Sequence, residues 1–312
     1  MSEVVLTGLD GSNPLGFLAA LGVLRVLDDG ARAEGGPRPT LAWRLDGRWL
    51  PVVGGVGSVE EVVERVIGDV GGWRRSAALS LAYDDAGALV APETPKATLD
   101  LKPPPASFRL WLEGVVQAAD TRSYGHAAAY GSELCTDNNG NLKPNALHFT
   151  AGQQTFLRMV RALAEGVGAD DIREALVGPW RVASVLPSLS WDASVSRLYA
   201  LRSGNPALEK RGSTPGADWL GFVALGWFPS VVQRGRLRTA GVEGGWKDSR
   251  FTWPLWTCGA GAGPVRSLLT LPGLAELPAS VRALRGIGAV MQSDIQRSDQ
   301  GGYGSFAPSR VV

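Results

Sequence analysis

The chain has 312 residues, 45% of them apolar and 20% charged, with a net charge of +1. That balance supplies a sizeable core and excludes an intrinsically disordered chain. Two cysteines, Cys135 and Cys258, exclude a disulfide framework, and no apolar run reaches the roughly 18 residues of a membrane-spanning helix.

Residues 4–7 read as a short buried strand. Asp10-Gly11-Ser12-Asn13 is turn chemistry, with Asn13 as N-cap and Pro14 in the first helical position. The helix expected over 14–27 is apolar on nearly every face and therefore belongs in an interior. Gly16 and Gly22 within it would let another backbone approach closely. A hairpin is expected over 41–45 and 49–53, turned at Asp46-Gly47. Ser58 and Glu61 form a capping box ahead of a helix over 59–70. A second hairpin is expected over 79–83 and 88–90.

Residues 96–105 include three consecutive prolines and read as a linker. Periodicity predicts helices over 108–119, 153–165 and 172–177. Between them, the Asn/Gly-rich stretch 135–145 reads as a long polar loop. Further on, strands are expected over 188–191 and 197–201 and a buried helix over 216–228. A hairpin then pairs 236–242 with 250–256, followed by helices from Pro264 and over 281–285 and a closing strand over 289–297. The fold class is α+β: a strand–helix N-terminal unit (1–95), a helical middle (96–180) and a C-terminal part of mixed hairpins and helices (181–312). These three stretches can share one body.

Catalytic signatures are sparse. His126 and His148 are the only histidines, and no CxxC, HxxxH or HExxH spacing occurs. Cys135 and His148 could supply two zinc ligands, but not at a known ligand spacing. The glycines of Gly54-Gly55-Val56-Gly57 precede a helix without the Lys-Ser/Thr ending of a nucleotide-binding loop. The composition thus points to no metal, no small-molecule cofactor and no clear enzyme. The enzymatic alternative is a metal-independent endoribonuclease, in which His126 or His148 takes a 2′-hydroxyl proton and Lys143 steadies the phosphate.

Charge is unevenly spread. Residues 1–100 carry 14 Asp/Glu against 9 Lys/Arg, whereas 181–312 carry 15 Lys/Arg against 8 Asp/Glu. A basic C-terminal part suits a polyanion. Its densest stretch places Arg234, Arg236 and Arg238 at period two, which puts them on one face of a strand. Trp246, Lys247, Arg250 and Trp253 follow. Guanidiniums beside aromatics fit a nucleic-acid backbone with stacking bases. Arg297 opens a Gly/aromatic segment, 297–310, that reads as a strand-following arm or a loose tail.

The sequence also resembles a known family. Leu6-Thr7-Gly8 and Asn13-Pro14-Leu15-Gly16-Phe17-Leu18-Ala19-Ala20-Leu21-Gly22 are similar to the start of subunits of type I CRISPR systems, in particular the I-G (formerly I-U) branch. Ser188-Leu189-Ser190-Trp191-Asp192, Gly216-Ala217-Asp218-Trp219-Leu220 and Phe251-Thr252-Trp253-Pro254-Leu255-Trp256 extend the resemblance towards the C-terminus. The resemblance implies a non-catalytic accessory or subunit of an RNA-guided antiviral complex. Its partners would be crRNA, target DNA and neighbouring subunits. The two cysteines and the absence of an apolar spanning run separately point to the cytoplasm, with no membrane. A protein-only adaptor role is the remaining alternative.

Overall fold

In the computed structural model, residues 2–150, 154–194, 212–297 and 304–312 are described. The strand expected over 197–201 lies outside them. The chain opens with β1 (Glu3–Val5) and α1 (Pro14–Glu34). The Asn13 side chain accepts the Leu15 N–H at 2.9 Å, so the cap read from the sequence sets the start of the helix. α1 runs a further two turns beyond 27, to Gly35 in the left-handed conformation.

Helix α1 is buried along almost its whole length because α7 (Pro215–Leu225), itself fully buried, lies directly against it. Gly22 makes the approach possible: a Cβ there would sit 2.0 Å from the Leu220 carbonyl oxygen. Gly16 plays a more local part, its missing Cβ leaving room for the Asp10 carbonyl.

The hairpin β2 (Thr40–Asp46) and β3 (Arg48–Gly54) forms as expected, with Gly47 at φ 68° in its turn. β1 adds to the free edge of β3, antiparallel. Ahead of α2 (Val59–Arg74), Ser58 accepts the Glu61 N–H at 3.1 Å. The Glu61 carboxylate reaches back to the Gly57 N–H at 2.7 Å, one residue before the cap. The hairpin expected over 79–90 is reduced to a single bridge between Tyr83 and Leu89, since Ala77–Leu79 form a 3-10 turn.

The Pro-rich stretch is not a free linker. Leu99 and Leu101 are buried in the same hydrophobic cluster as Leu21 and Trp253, and Pro105 begins α3 (Pro105–Ala118). α4 (Thr121–Tyr130), which the periodicity did not announce, follows directly. The expected polar loop is instead a ribbon of β4 (Gly131–Thr136) and β5 (Leu142–Pro144), turned at 137–141, with Leu134 and Thr136 exposed on β4. α5 (Phe156–Gly166) and α6 (Ala169–Val177) complete the middle. Residues 188–191 form no strand; Trp191 is buried there and donates to the Leu147 carbonyl at 2.9 Å.

After α7, β6 (Ser230–Gln233) and β7 (Arg236–Thr239) make a two-stranded ribbon. β8 (Val242–Glu243), β9 (Arg250–Trp256), β10 (Ile287–Arg297) and β11 (Gly304–Phe306) form an antiparallel sheet, with β12 (Arg310–Val311) beside β10. α8 (Ala262–Leu269) and α9 (Ala279–Leu284) lie between β9 and β10. Thus β7 pairs with β6 and β9 pairs with β10, rather than β7 with β9 as the sequence suggested. The two larger sheets meet over aromatic rings. Trp43, Trp253, Trp256 and Phe251 gather around Phe17 with ring centres 5.7 to 6.5 Å from it. No helix among the described residues is long and apolar enough to cross a membrane.

Candidate nucleic-acid interface

Burial separates the eleven tryptophans sharply. Trp253 is fully buried on β9, and its indole N–H is held at 2.8 Å by the Gly11 carbonyl. It has no face to offer a base, so the stacking role expected for Trp253 is corrected to a core role. Trp246, in the β8–β9 connection, is the one tryptophan that is exposed, at 50%.

The arginines also separate. Only Arg236 and Arg238 stand on β7 and share a face; Arg234 occupies the turn with Gly235, at φ 51° and 71°. A two-residue turn with both φ values positive matches the twist of a hairpin, a geometry usually given to Asn-Gly or Gly-Gly. An arginine there is strained. Arg234, Arg236 and Arg238 make no ion pair among the described residues. Arg250 is already engaged, 3.3 Å from Asp294, a carboxylate it shares with Arg310. Lys247 is exposed beside Trp246.

The parts converge on a cleft of about 330 Å³ between the β4–β5 ribbon, the β6–β7 ribbon and the β8–β9 connection. Lys143, Arg236, Arg238 and Arg297 supply its charge, Trp246 its aromatic wall, and no carboxylate lines it among the described residues. Lys143 enters from β5, a position the sequence reading had reserved for RNA cleavage. The ribbon carrying the arginines is fixed from beneath: Ser230 donates to the Ala129 carbonyl at 3.1 Å, and Thr239 accepts the Ala146 N–H at 2.9 Å. Arg238 donates to the Gly244 carbonyl at 3.1 Å, tying the cleft to the turn that presents Trp246.

Arg297, at the end of β10, is the most buried cation in the cleft. Its guanidinium lies 4.1 Å from the centre of the Trp246 ring and 5.5 Å from that of Phe149, and it donates to the Ala146 carbonyl at 2.6 Å. Burial lowers its pKa to about 10, so it stays charged at neutral pH. A cation desolvated without a counter-ion is costly, and the two ring faces offset that cost only in part. Its Nε–H and the neighbouring Ser249 hydroxyl are buried with no hydrogen-bond partner.

The histidines are placed quite differently. His126 is fully buried among Trp73, Tyr130 and Phe222, with Nε2 at 2.9 Å from the Phe222 carbonyl. Burial, then the nearby Arg25 charge, push its pKa down to about 3. His148 is buried against Phe156, with Nε2 at 2.7 Å from an Asp100 carboxylate oxygen. Burial alone would raise the Asp100 pKa, but His148 and the Phe156 N–H outweigh it and hold the carboxyl below its ordinary value. Neither imidazole presents a ring to an RNA. The Cys135 thiol faces the Gly235 carbonyl at 3.9 Å rather than sharing a ligand set with His148.

A larger groove of about 820 Å³ lies at the C-terminal end of α1, but its charges cancel internally. Arg32 pairs with Asp28 at 2.7 Å and Arg122 with Asp69 at 2.7 Å. Of these two, the smaller cleft is the one whose described lining carries several cations and no carboxylate. No family model, curated protein or solved structure matches the chain.

Proposed function

We propose that this protein is a nucleic-acid-binding, non-catalytic subunit or accessory of a type I CRISPR antiviral complex, holding crRNA or target DNA in the cytoplasm. The observation that carries the binding role is the cleft in which Lys143, Arg236, Arg238 and Arg297 converge with no carboxylate among the described lining residues. A phosphodiester there supplies the missing counter-charge and accepts hydrogen bonds from the guanidiniums. Arg234 extends the positive track to the ribbon tip. The CRISPR setting rests on the sequence resemblance at residues 6–8, 13–22, 188–192, 216–220 and 251–256.

The test is binding of fluorescent oligonucleotides to the Arg234→Ala/Arg236→Ala/Arg238→Ala protein. All three side chains are on or beside an exposed ribbon, so melting should be nearly unchanged while affinity falls at least tenfold. The dependence of log K on log salt should flatten by about 2 to 3 for three lost phosphate contacts. Unchanged affinity and slope would remove the cleft from the binding surface. Co-purification with the products of neighbouring genes and short repeat-bearing RNA tests the complex. Recovery of subunits without any nucleic acid would favour the adaptor role.

A further inference from the structure

Resting on that reading, we infer that the cleft selects single-stranded over duplex nucleic acid, with a phosphate on Arg236, Arg238 and Lys143 and an unpaired base on the open face of Trp246. The Trp246 indole is half exposed, while Arg297 occupies one of its faces at 4.1 Å. That guanidinium is fixed in turn by Phe149 and the Ala146 carbonyl. Trp246 is therefore a stacking platform already held in place, with the ordering cost met before a ligand arrives.

Size and shape favour one nucleotide at a time. About 330 Å³ is at the small end of ligand pockets. In a duplex the base faces are covered by their neighbours, and only edges and phosphates are available. An indole face has nothing to stack on there. A two-stranded ribbon can enter a major groove, but β6–β7 is anchored at its base through Ser230 and Thr239, and its tip lies against β4, with the Gly235 carbonyl 3.9 Å from the Cys135 thiol. Within the cleft, Arg236 and Trp246 are exposed and Arg238 and Lys143 half-buried, so a bound nucleotide can reach all four. A splayed single strand brings both a base face and its flanking phosphates to these groups.

The experiment measures fluorescence anisotropy with a single-stranded DNA, a single-stranded RNA and a duplex of the same length, on the intact protein and its Trp246→Ala and Trp246→Phe variants. Single strands should bind at least about tenfold more tightly than the duplex. Trp246→Ala should weaken single-strand binding about tenfold and leave the duplex unchanged, whereas Trp246→Phe should keep most of the affinity. The RNA and DNA arms decide which strand is preferred. Equal or tighter duplex binding, or no effect of Trp246→Ala on single strands, overturns the single-strand inference while the nucleic-acid reading stands. No binding of any of the three overturns both.

Discussion

The Arg297 guanidinium lies over the Trp246 ring, 4.1 Å from its centre, and 5.5 Å from the centre of the Phe149 ring. The pair links the end of β10 to the β8–β9 connection, two segments about fifty residues apart in sequence. It holds an exposed aromatic in a fixed pose over a cationic cleft. Gly304, paired with Arg297 across β10 and β11, makes room for this arrangement: a Cβ there would lie 2.4 Å from the Phe149 ring.

The two tryptophans of the original candidate site should separate in mutagenesis. Trp253→Ala removes a fully buried ring stacked on Phe251 and should cost about 3 to 5 kcal/mol of stability. Trp246→Ala removes a half-exposed ring and should cost about 1 kcal/mol or less. Denaturant midpoints of the two variants check this. Similar losses for both would contradict the assignment of one to the core and the other to the surface.

Arg234 should trade stability for binding. Its φ of 51° at the ribbon turn is a conformation that asparagine adopts far more readily. Arg234→Asn should therefore stabilise the protein by about 0.5 to 1 kcal/mol while weakening nucleic-acid binding a few-fold. Paired thermal melts and binding isotherms read both effects. A variant that is no more stable than the parent would show that the arginine carries no strain.

These residues also mark how far the sequence could be read. Caps and turns were legible because Asn13, Ser58 and Gly47 act on backbone groups within a few residues of themselves. The period-two arginines pointed to a shared face, but the local sign that β7 pairs with β6 was weak: Gly235 marks the turn, while Arg234 stands where a hairpin usually has Asn or Gly. Trp246 and Trp253 each lie beside basic residues and look alike in sequence. They differ because β9 runs between β8 and β10 with Phe17 across from it, whereas Trp246 sits in a turn. α4 escaped notice because Thr121–Tyr130 alternates small and polar residues with no apolar stripe, its packing resting on Arg25, Trp73 and Phe222 from distant segments. The signal for Lys143 was weaker still: a lone lysine before Pro144, brought to the cleft only by the β4–β5 ribbon.

Two buried titrating groups set opposing pH slopes. Asp218 on α7 is fully buried; burial raises its pKa to about 8, against the Leu189 N–H that its other oxygen accepts at 2.9 Å. The folded state thus holds a proton that the unfolded chain releases near pH 4, so this group's contribution is complete below that pH and is lost as pH rises to 8. His126 has the opposite sign: its folded pKa of about 3 lies below the unfolded value near 6.5, so stability falls as pH drops through that window. Between about pH 4 and 6.5 the slopes oppose each other, and above 6.5 only Asp218 remains. Stability should decline by about 2 kcal/mol from pH 6.5 to 8, at about 1.4 kcal/mol per unit. Asp218→Asn should flatten that decline, which urea titrations at both pH values would detect. A parent protein equally stable at the two values would rule out the buried neutral carboxyl.

The contact between α1 and α7 should tolerate almost no added volume. At Gly22 a single methyl would meet the Leu220 carbonyl carbon at 2.7 Å and its oxygen at 2.0 Å, and neither belongs to a side chain that can rotate away. The helices would have to part, opening voids around Leu18, Leu21 and Phe222, or α7 would have to bend. Gly22→Ala should therefore cost about 3 kcal/mol, at or above the upper end for overpacking a core, despite alanine's better helix propensity of about 1 kcal/mol. Gly30 is the internal control: it lies on the same helix, and its added Cβ meets only the tip of Arg65 at 3.8 Å. Gly30→Ala should leave stability unchanged or raise it by up to about 1 kcal/mol. Equal behaviour of the two alanines in chemical denaturation would mean that α1 and α7 are not in backbone contact. A large loss at Gly22 alone would show that the two helices meet backbone to backbone at this glycine.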